Sequence, residues 1–466
     1  MENALKAIKS SSFALLMILL AVTTIYGQRT HLEYTPAPVA NPLKGLVPYA
    51  GVGDDVFPHT MEFSYFRLSD VMTGYDTYNW QPIEELLDAV SGRGRQAIFR
   101  IYLEWPNRTD LIPGFLLDDG LKVFKYLNTN TQPHPPSDVE TPDYEDENLR
   151  RALTNFIAAL GHRYDGDPRI GFITAGLLGT WGEWHTYPRD DLFASKTVQA
   201  EIMDAYETAF KITPVLLRYP AGDDSPVYVS NADRPFGYHD DSFGWATIST
   251  SDQGQEWYYM NVLAEAGPAA LEKWKKQPIG GEVRPEAWGK IFDPDLQDSN
   301  IQDFGESVDQ THVTWLMDSG MFREIPGEER MKRALEEVRR MGYEFHIPAV
   351  TTGDAASNVL MVQIELENRG VAPFYYDWKG EYGLIADGRV IKTFPAEATL
   401  TGLLPGDSPR IWSDELDVSD VPPGDYILAV RVPNTLPAGL PVRFANVTQD
   451  RDVPGWLSLV GVTIGE

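Results

Sequence analysis

Between about residues 41 and 347, short apolar runs alternate with stretches of helical periodicity. Ser64-Tyr-Phe-Arg-Leu68, Gln96-Ala-Ile-Phe-Arg-Ile-Tyr102, Ile170-Gly-Phe-Ile-Thr-Ala-Gly-Leu-Leu178, Val215-Leu-Leu217, Gly244-Trp-Ala-Thr-Ile248, Gln277-Pro-Ile-Gly280 and Val313-Thr-Trp-Leu-Met317 predict strands, most of them buried on both faces. Helices are predicted over 82–90, 145–164, 198–210, 262–276 and 328–341; the second carries Leu149, Leu153, Phe156, Ile157 and Leu160 on one stripe. Strand–helix alternation over some three hundred residues implies a parallel sheet with helical crossovers, and its length matches a (β/α)₈ barrel with insertions. An open doubly wound sheet is the rival, but Gly51-Val-Gly53 lacks the third glycine and following helix of a phosphate loop. The Pro-rich stretch Gln132-Pro-His-Pro-Pro136 is too polar and too broken for core.

From about residue 350 the texture changes. Runs such as Val359–Leu366, Tyr382–Ile385, Val390–Phe394, Tyr426–Val432 and Trp456–Val460 alternate with Gly/Pro turns, without helical periodicity. That pattern predicts an all-β, immunoglobulin-like sandwich over residues 350–466. The expected fold is therefore α/β: a TIM barrel over 41–347 followed by the sandwich. The beginning of the chain reads as an export signal over 1–27, with Lys6 and Lys9 before an apolar stretch from Phe13 to Ile25. No later segment approaches a membrane span, so the expected location is secreted or periplasmic.

Composition narrows the partners. The formal net charge is −29, from 68 acidic against 39 basic residues, which argues against nucleic acid and anionic membrane surfaces. The absence of cysteine excludes disulfides and thiolate metal sites. The abundance of Trp and Tyr suits sugar-binding clefts, where a pyranose face packs on a ring, but it suits cores equally well.

Two motifs carry candidate chemistry. Gly179-Thr-Trp-Gly-Glu-Trp-His185 follows the Ile170 strand, and Gly280-Gly-Glu-Val283 ends a strand about a hundred residues later. Each presents a carboxylate, Glu183 or Glu282, among aromatic residues and glycines at a strand end. An acid in an apolar pocket has its pKa raised, and two such acids are the minimum equipment for glycosidic cleavage. Either Glu could instead pair with an arginine at the strand mouth. Around them, Arg100, Tyr102, Glu104 and Trp105 follow the third expected strand, where this fold collects its active sites. Arg100 and Glu104 read either as a structural ion pair or as groups holding a sugar hydroxyl or uronate. Trp181, Trp184 and Trp315 read as stacking platforms or as core fillers, and His185 and His239 as hydrogen-bond partners of a substrate. No His/Asp/Glu cluster has metal-ligand spacing, so neither metal nor cofactor is expected. Asp293-Pro-Asp-Leu-Gln-Asp298 lacks the glycine and terminal Glu of a calcium loop.

The run from Arg163-Tyr-Asp-Gly-Asp-Pro-Arg-Ile170 through the strand to Glu183 resembles the fourth-strand region of clan A glycoside hydrolases. As a whole the chain is similar to an uncharacterised exported bacterial family with the Trp-Gly-Glu-Trp signature and a C-terminal β-domain. The resemblance implies Glu183 as acid/base after the fourth strand and Glu282 as nucleophile on the seventh. It implies a retaining two-carboxylate hydrolysis of oligo- or polysaccharide. One departure stands out: the clan places Asn before the acid/base, and here that position is Gly182. A non-catalytic glycan-binding or surface-assembly protein on a degenerate barrel is the alternative.

Overall fold

A computed structural model describes residues 27–53, 56–130, 135–250, 252, 254–353 and 358–465. The export signal expected over 1–27 falls, but for Gly27, outside the described residues, as do 131–134 of the Pro-rich stretch. Eight parallel strands form one sheet: β1 Gly45–Val47, β2 Met61–Arg67, β3 Gln96–Tyr102, β4 Ile170–Thr174, β5 Val215–Leu217, β6 Gly237–Phe243, β7 Ile279–Val283 and β8 Trp315–Met317. Each pairs with its neighbour in sequence order from β2 through β8, and β8 pairs with β1. A parallel bridge between Tyr49 and Phe63, with Phe63 N donating to Pro48 O at 2.8 Å, joins β1 to β2. The sheet is a closed (β/α)₈ barrel.

Period-two alternation sorts its side chains. Phe99, Ile101, Ile173, Leu217 and Leu316 face outward into the helical layer, while Phe63, Ile98, Phe172, Leu216 and Trp315 fill the barrel interior. The helix Glu147–Tyr164 presents Leu149, Leu153, Phe156, Ile157 and Leu160 to that layer. Asp146 caps its first turn, accepting from the amides of Asn148 and Leu149, a contact worth ~1 kcal/mol.

Two expectations are corrected. Gly244–Ile248 is a turn, not a strand; the Gly244 amide donates to Thr247 Oγ1 at 2.9 Å. The sixth strand is the preceding Gly237–Phe243, which the apolar-run criterion passes over because its inward positions His239 and Asp241 are polar. The helix expected over 262–276 is interrupted at Gly267, with φ of 95°, and Pro268; the pieces are Tyr259–Ala266, Pro268–Leu271 and a 3₁₀ turn at Lys273–Lys275.

The C-terminal residues form a β-sandwich of two antiparallel four-stranded sheets. One orders Gln28–His31, Phe345–Thr352, Val359–Asn368 and Arg410–Asp417; the other orders Arg389–Thr399, Lys379–Ala386, Gly424–Arg431 and Leu457–Ile464. Val362, Ile364 and Trp412 of the first share a core with Tyr382, Leu384, Leu428 and Val430 of the second. Tyr426 OH donates to Pro422 O at 2.8 Å, the corner contact of immunoglobulin-like sandwiches.

That core is continuous with the barrel interior. The segment before Lys379–Ala386 plugs the lower end of the barrel: Tyr376 OH donates to Gly171 O at 2.5 Å and Tyr375 OH to Trp274 O at 2.6 Å. The Tyr376 ring lies 6.3 Å from Phe172, which stacks on Trp315 at 5.9 Å. The strand C-termini therefore open to solvent only at the opposite, upper end.

Candidate active site

The Glu183 loop is coiled by backbone conformations that side chains rarely adopt. Gly179, Trp181, Gly182 and Trp184 have φ of 79°, 55°, 71° and 58°. Two tryptophans in the left-handed region are a local cost of order 1–3 kcal/mol each, held by what surrounds them. The Trp181 amide donates to Glu104 O at 3.0 Å, the Gly179 amide to Tyr144 OH at 2.7 Å, and Trp184 Nε1 to Ala175 O at 2.8 Å. A Cβ at Gly176 would lie 1.9 Å from Ile101 O, so the chain leaving β4 passes directly against β3. The loop delivers Glu183 into the barrel mouth, where Arg100 Nη1 donates to its Oε1 at 2.8 Å.

Gly182 also has a steric reason. A Cβ there would meet Gly176 Cα at 3.0 Å and Arg100 Cδ at 3.3 Å. The space a side chain at this position would need is taken by the backbone of Gly176 and the stem of the buried arginine.

Glu282 stands on β7. Gly280 makes room for Trp315, whose indole would be 2.3 Å from a Cβ, and Gly281 lies against Asp240 O at 2.4 Å by the same measure. The double glycine is thus a packing requirement that leaves Glu282 as the motif's one ionisable side chain. Its surface is 8% exposed, and among the described residues no hydrogen bond reaches its carboxyl. Burial pushes the Glu282 carboxyl well above the usual range, and the Glu183, Asp241 and Asp318 charges add to this against the opposing pull of Arg100.

Arg100 is fully buried on β3. Its Nε donates to Thr174 Oγ1 at 3.1 Å and its Nη2 sits 3.3 Å from His239 Nε2. Since a guanidinium only donates, the facing imidazole nitrogen must accept; burial and the Arg100 charge hold His239 well below its ordinary pKa. On the far side of Glu183 lies a second ion pair, Arg218 with Asp241. Burial raises the Asp241 carboxyl, but Arg218's charge and hydrogen bond outweigh it and hold it well below the usual range. His185 Nε2 completes the group at 3.8 Å from Glu183 Oε2. One atom each of Glu183, His185 and Asp241 lie within 4.8 Å of one another, close enough for a cation to bridge. Arg100 and Arg218 already neutralise those two carboxylates, and the carboxyl left without a counter-charge is Glu282.

The other expected residues separate into walls and supports. Trp105 is partly exposed on one side of the mouth, whereas Tyr102 is fully buried beside it, ring centroids 5.0 Å apart, and supports that wall without facing a substrate. Trp181 and His185 are partly exposed, their rings 6.0 Å apart. Glu104 is fully buried behind the loop and accepts from Thr141 Oγ1 at 2.6 Å and from Tyr144 OH; burial pushes it up to about 7 despite these bonds. It forms no pair with Arg100. Trp184 belongs to the outer core and Trp315, fully buried, to the barrel interior.

Arg218, Asp241, Tyr49 and Tyr65 were not legible as site residues. Tyr65 lies 5.6 Å below the Arg100 guanidinium and 6.2 Å from Tyr49, and both hydroxyls feel the charge of Glu282. Period-two counting along His239-Asp-Asp241 would have placed Asp241 beside His239 had that polar run been read as a strand.

The buried acid has a measurable signature. An unfolded Glu titrates near 4.3, whereas folded Glu282 holds its proton to higher pH. Between those values the folded state binds a proton that the unfolded chain does not, so stability falls as pH rises. Glu282→Gln removes this penalty. Thermal melts should show little difference from wild type near pH ~4 and a growing advantage for the variant towards roughly pH 8; a flat or absent advantage contradicts the burial assigned to Glu282.

No protein-family profile matches the chain, and no curated protein matches it. Solved structures do. Endo-glycoceramidase II from Rhodococcus sp. aligns at 10% identity and TM-score 0.39, covering 82% of this chain and 99% of that one. The catalytic domain of beta-amylase from Paenibacillus polymyxa aligns at 10% identity and TM-score 0.39, covering 60% and 91%. The endo-beta-1,4-mannanase from Thermotoga petrophila aligns at 10% identity and TM-score 0.31, covering 84% and 95%. Among the described residues no helix is long and apolar enough to cross a membrane.

Proposed function

We propose that the protein is an exported glycoside hydrolase that cleaves oligo- or polysaccharide with Glu183 and Glu282 as its two carboxylates, on a barrel unit spanning 41–347 and buttressed by a sandwich over 350–466. The observation that carries this reading is Glu282: an acid buried on β7 without a hydrogen-bond partner, facing a second acid at the end of β4. Burying such a group costs stability, and substrate chemistry at the barrel mouth accounts for it.

In the retaining course, Glu183 protonates the leaving oxygen while Glu282 attacks the anomeric carbon. Water then enters with Glu183 as base. The two acids need one proton between them, and Arg100, whose charge acts on both, decides where it rests. In the resting site Arg100 pairs with Glu183, while burial favours the protonated form of Glu282; attack by Glu282 requires that it give up this proton when substrate binds. Trp105 and Trp181, both partly exposed, supply faces for pyranose rings.

The same Arg100–Glu183 pair, with Gly182 where the clan has Asn, favours the alternative of a barrel that binds glycan without cleaving it. Incubation with a panel of plant, fungal and bacterial polysaccharides separates the two. Hydrolysis requires new reducing ends that vanish in Glu282→Ala; binding without new reducing ends selects the alternative.

A further inference from the structure

Arginines on this chain are matched to acids as a rule: Arg93 and Arg95 share Glu62, Arg169 holds Asp167, and Arg431 holds Glu381. With 68 acidic residues available against 39 basic ones, an arginine at the cleft without an acid is an exception. Arg323, exposed just after β8 and stacked 5.3 Å over Trp288, is one such exception, and Arg108 is another. Arg108 stands in the loop after β3, exposed, and among the described residues it forms no ion pair.

Its position is nonetheless fixed. The guanidinium lies 4.2 Å over the Trp105 ring, and Nη1 donates to Tyr102 OH at 2.9 Å. Trp105 packs edge-on against Tyr65 at 5.2 Å, and Tyr65 lies under Arg100 beside Glu282. The charge of Arg108 reaches Tyr49, which also feels Glu282 and Glu183. One nitrogen of the fork is occupied by a neutral hydroxyl, and the ring beneath orients the plane. The remaining N–H groups of this exposed side chain have no protein partner among the described residues.

We infer that Arg108 is the anchor of a subsite for an anionic sugar, adjacent to the cleavage point, and that the substrate is an acidic glycan bearing a carboxylate or a sulfate ester. A planar fork held by stacking is suited to bidentate recognition of such groups. In a protein of net charge −29 an acidic polymer is repelled from most of the surface, so this rim is where it can land. The inference rests on the hydrolase reading for the location of the cleavage point only; the anion site stands on its own geometry.

The test is equilibrium binding in a Glu282→Gln background, which prevents turnover, with Arg108 intact or changed to Ala, Gln or Lys. The probes are oligogalacturonate for carboxylate, chondroitin sulfate oligosaccharide for sulfate, and cello-oligosaccharide of equal length as the neutral control. At low salt at least one acidic probe should bind about tenfold or more tighter than the neutral one, the size of one charge-assisted contact. Arg108→Ala and Arg108→Gln should abolish that preference and leave neutral binding unchanged; Arg108→Lys should retain part of it, and salt should weaken only the acidic probe. The acidic probe that responds identifies carboxylate or sulfate. Equal binding of acidic and neutral probes, or a preference that survives Arg108→Gln, overturns the inference. Cleavage of neutral glycans with no acidic preference removes this subsite and spares the hydrolase; Arg108-dependent acidic binding by a wild-type protein that cleaves nothing does the reverse.

Discussion

Glu183→Ala should lose about 10²–10⁴-fold in kcat/KM on natural glycans, the ordinary worth of a general acid, yet keep much of the first step on substrates with activated leaving groups. A nitrophenolate departs without protonation, so the loss is felt mainly in the second step, where the base that takes the water's proton is missing. Azide should then restore turnover, because a small anion fits the space the carboxylate leaves and attacks the intermediate without a base. Glu282→Ala should behave differently, falling by roughly 10⁴-fold or more on both substrate types, since no leaving group replaces an absent nucleophile. The asymmetry between the variants is the informative quantity. Equal losses, independent of leaving group and indifferent to azide, would reject the roles even in an active enzyme. Arg100 makes the experiment sharper: in Glu183→Ala its guanidinium loses its 2.8 Å partner and is free to hold the incoming anion.

The second large effect concerns the sandwich. Trp378 is 4% exposed and packs against Phe374 at 5.1 Å, within the core that continues into Phe172 and Trp315 of the barrel. Trp378 with Tyr375 and Tyr376 is thus a seal between the two units and not an exposed platform for glycan. Trp378→Ala should cost ~3–5 kcal/mol, the usual range for a buried tryptophan, and lower the melting temperature of the whole chain. Removing residues 350–466 should be worse, because it uncovers the lower end of the barrel, cuts the Phe345–Thr352 strand on which Gln28–His31 pairs, and removes its other partner, Val359–Asn368. The truncated barrel should be insoluble or melt without cooperativity, and the isolated 350–466 segment should not bind glycans. A soluble, cooperatively melting barrel together with tight glycan binding by the segment would make the tail a carbohydrate-binding module instead.

How much of this was legible in the sequence depended on whether function and packing agreed at a given position. Along β4 they agreed: Ile170 to Thr174 is apolar, and Glu183 follows in a motif whose glycines announce a tight loop. Along β6 they conflicted. His239 and Asp241 point into the barrel, so the strand carries no apolar run, and the nearby Gly244–Ile248 offered a better but false pattern. Arg218 was hidden for a related reason. It lies one residue beyond the last of β5, where a sequence gives no sign that a cation will meet an acid from the next strand. Residue type alone also misdirected the reading of Glu104 and Trp315. Both lie on or just after barrel strands, but Glu104 bonds Thr141 and Tyr144 behind the loop and Trp315 fills the space that Gly280 vacates. Spacing identified the acids; only the closed barrel shows which neighbours face them.

The proposed bond between Glu282 and the sugar can be weighed. Wild-type protein incubated with activated 2-deoxy-2-fluoro glycosides accumulates any glycosyl-enzyme intermediate, because the fluorine slows its hydrolysis more than its formation. Intact-protein mass spectrometry should show one added glycosyl mass, and peptide mapping should place it on Glu282, with no adduct in Glu282→Gln. Turnover of those glycosides without an adduct, or an adduct on any other residue, would contradict the assignment of Glu282 as the attacking carboxylate.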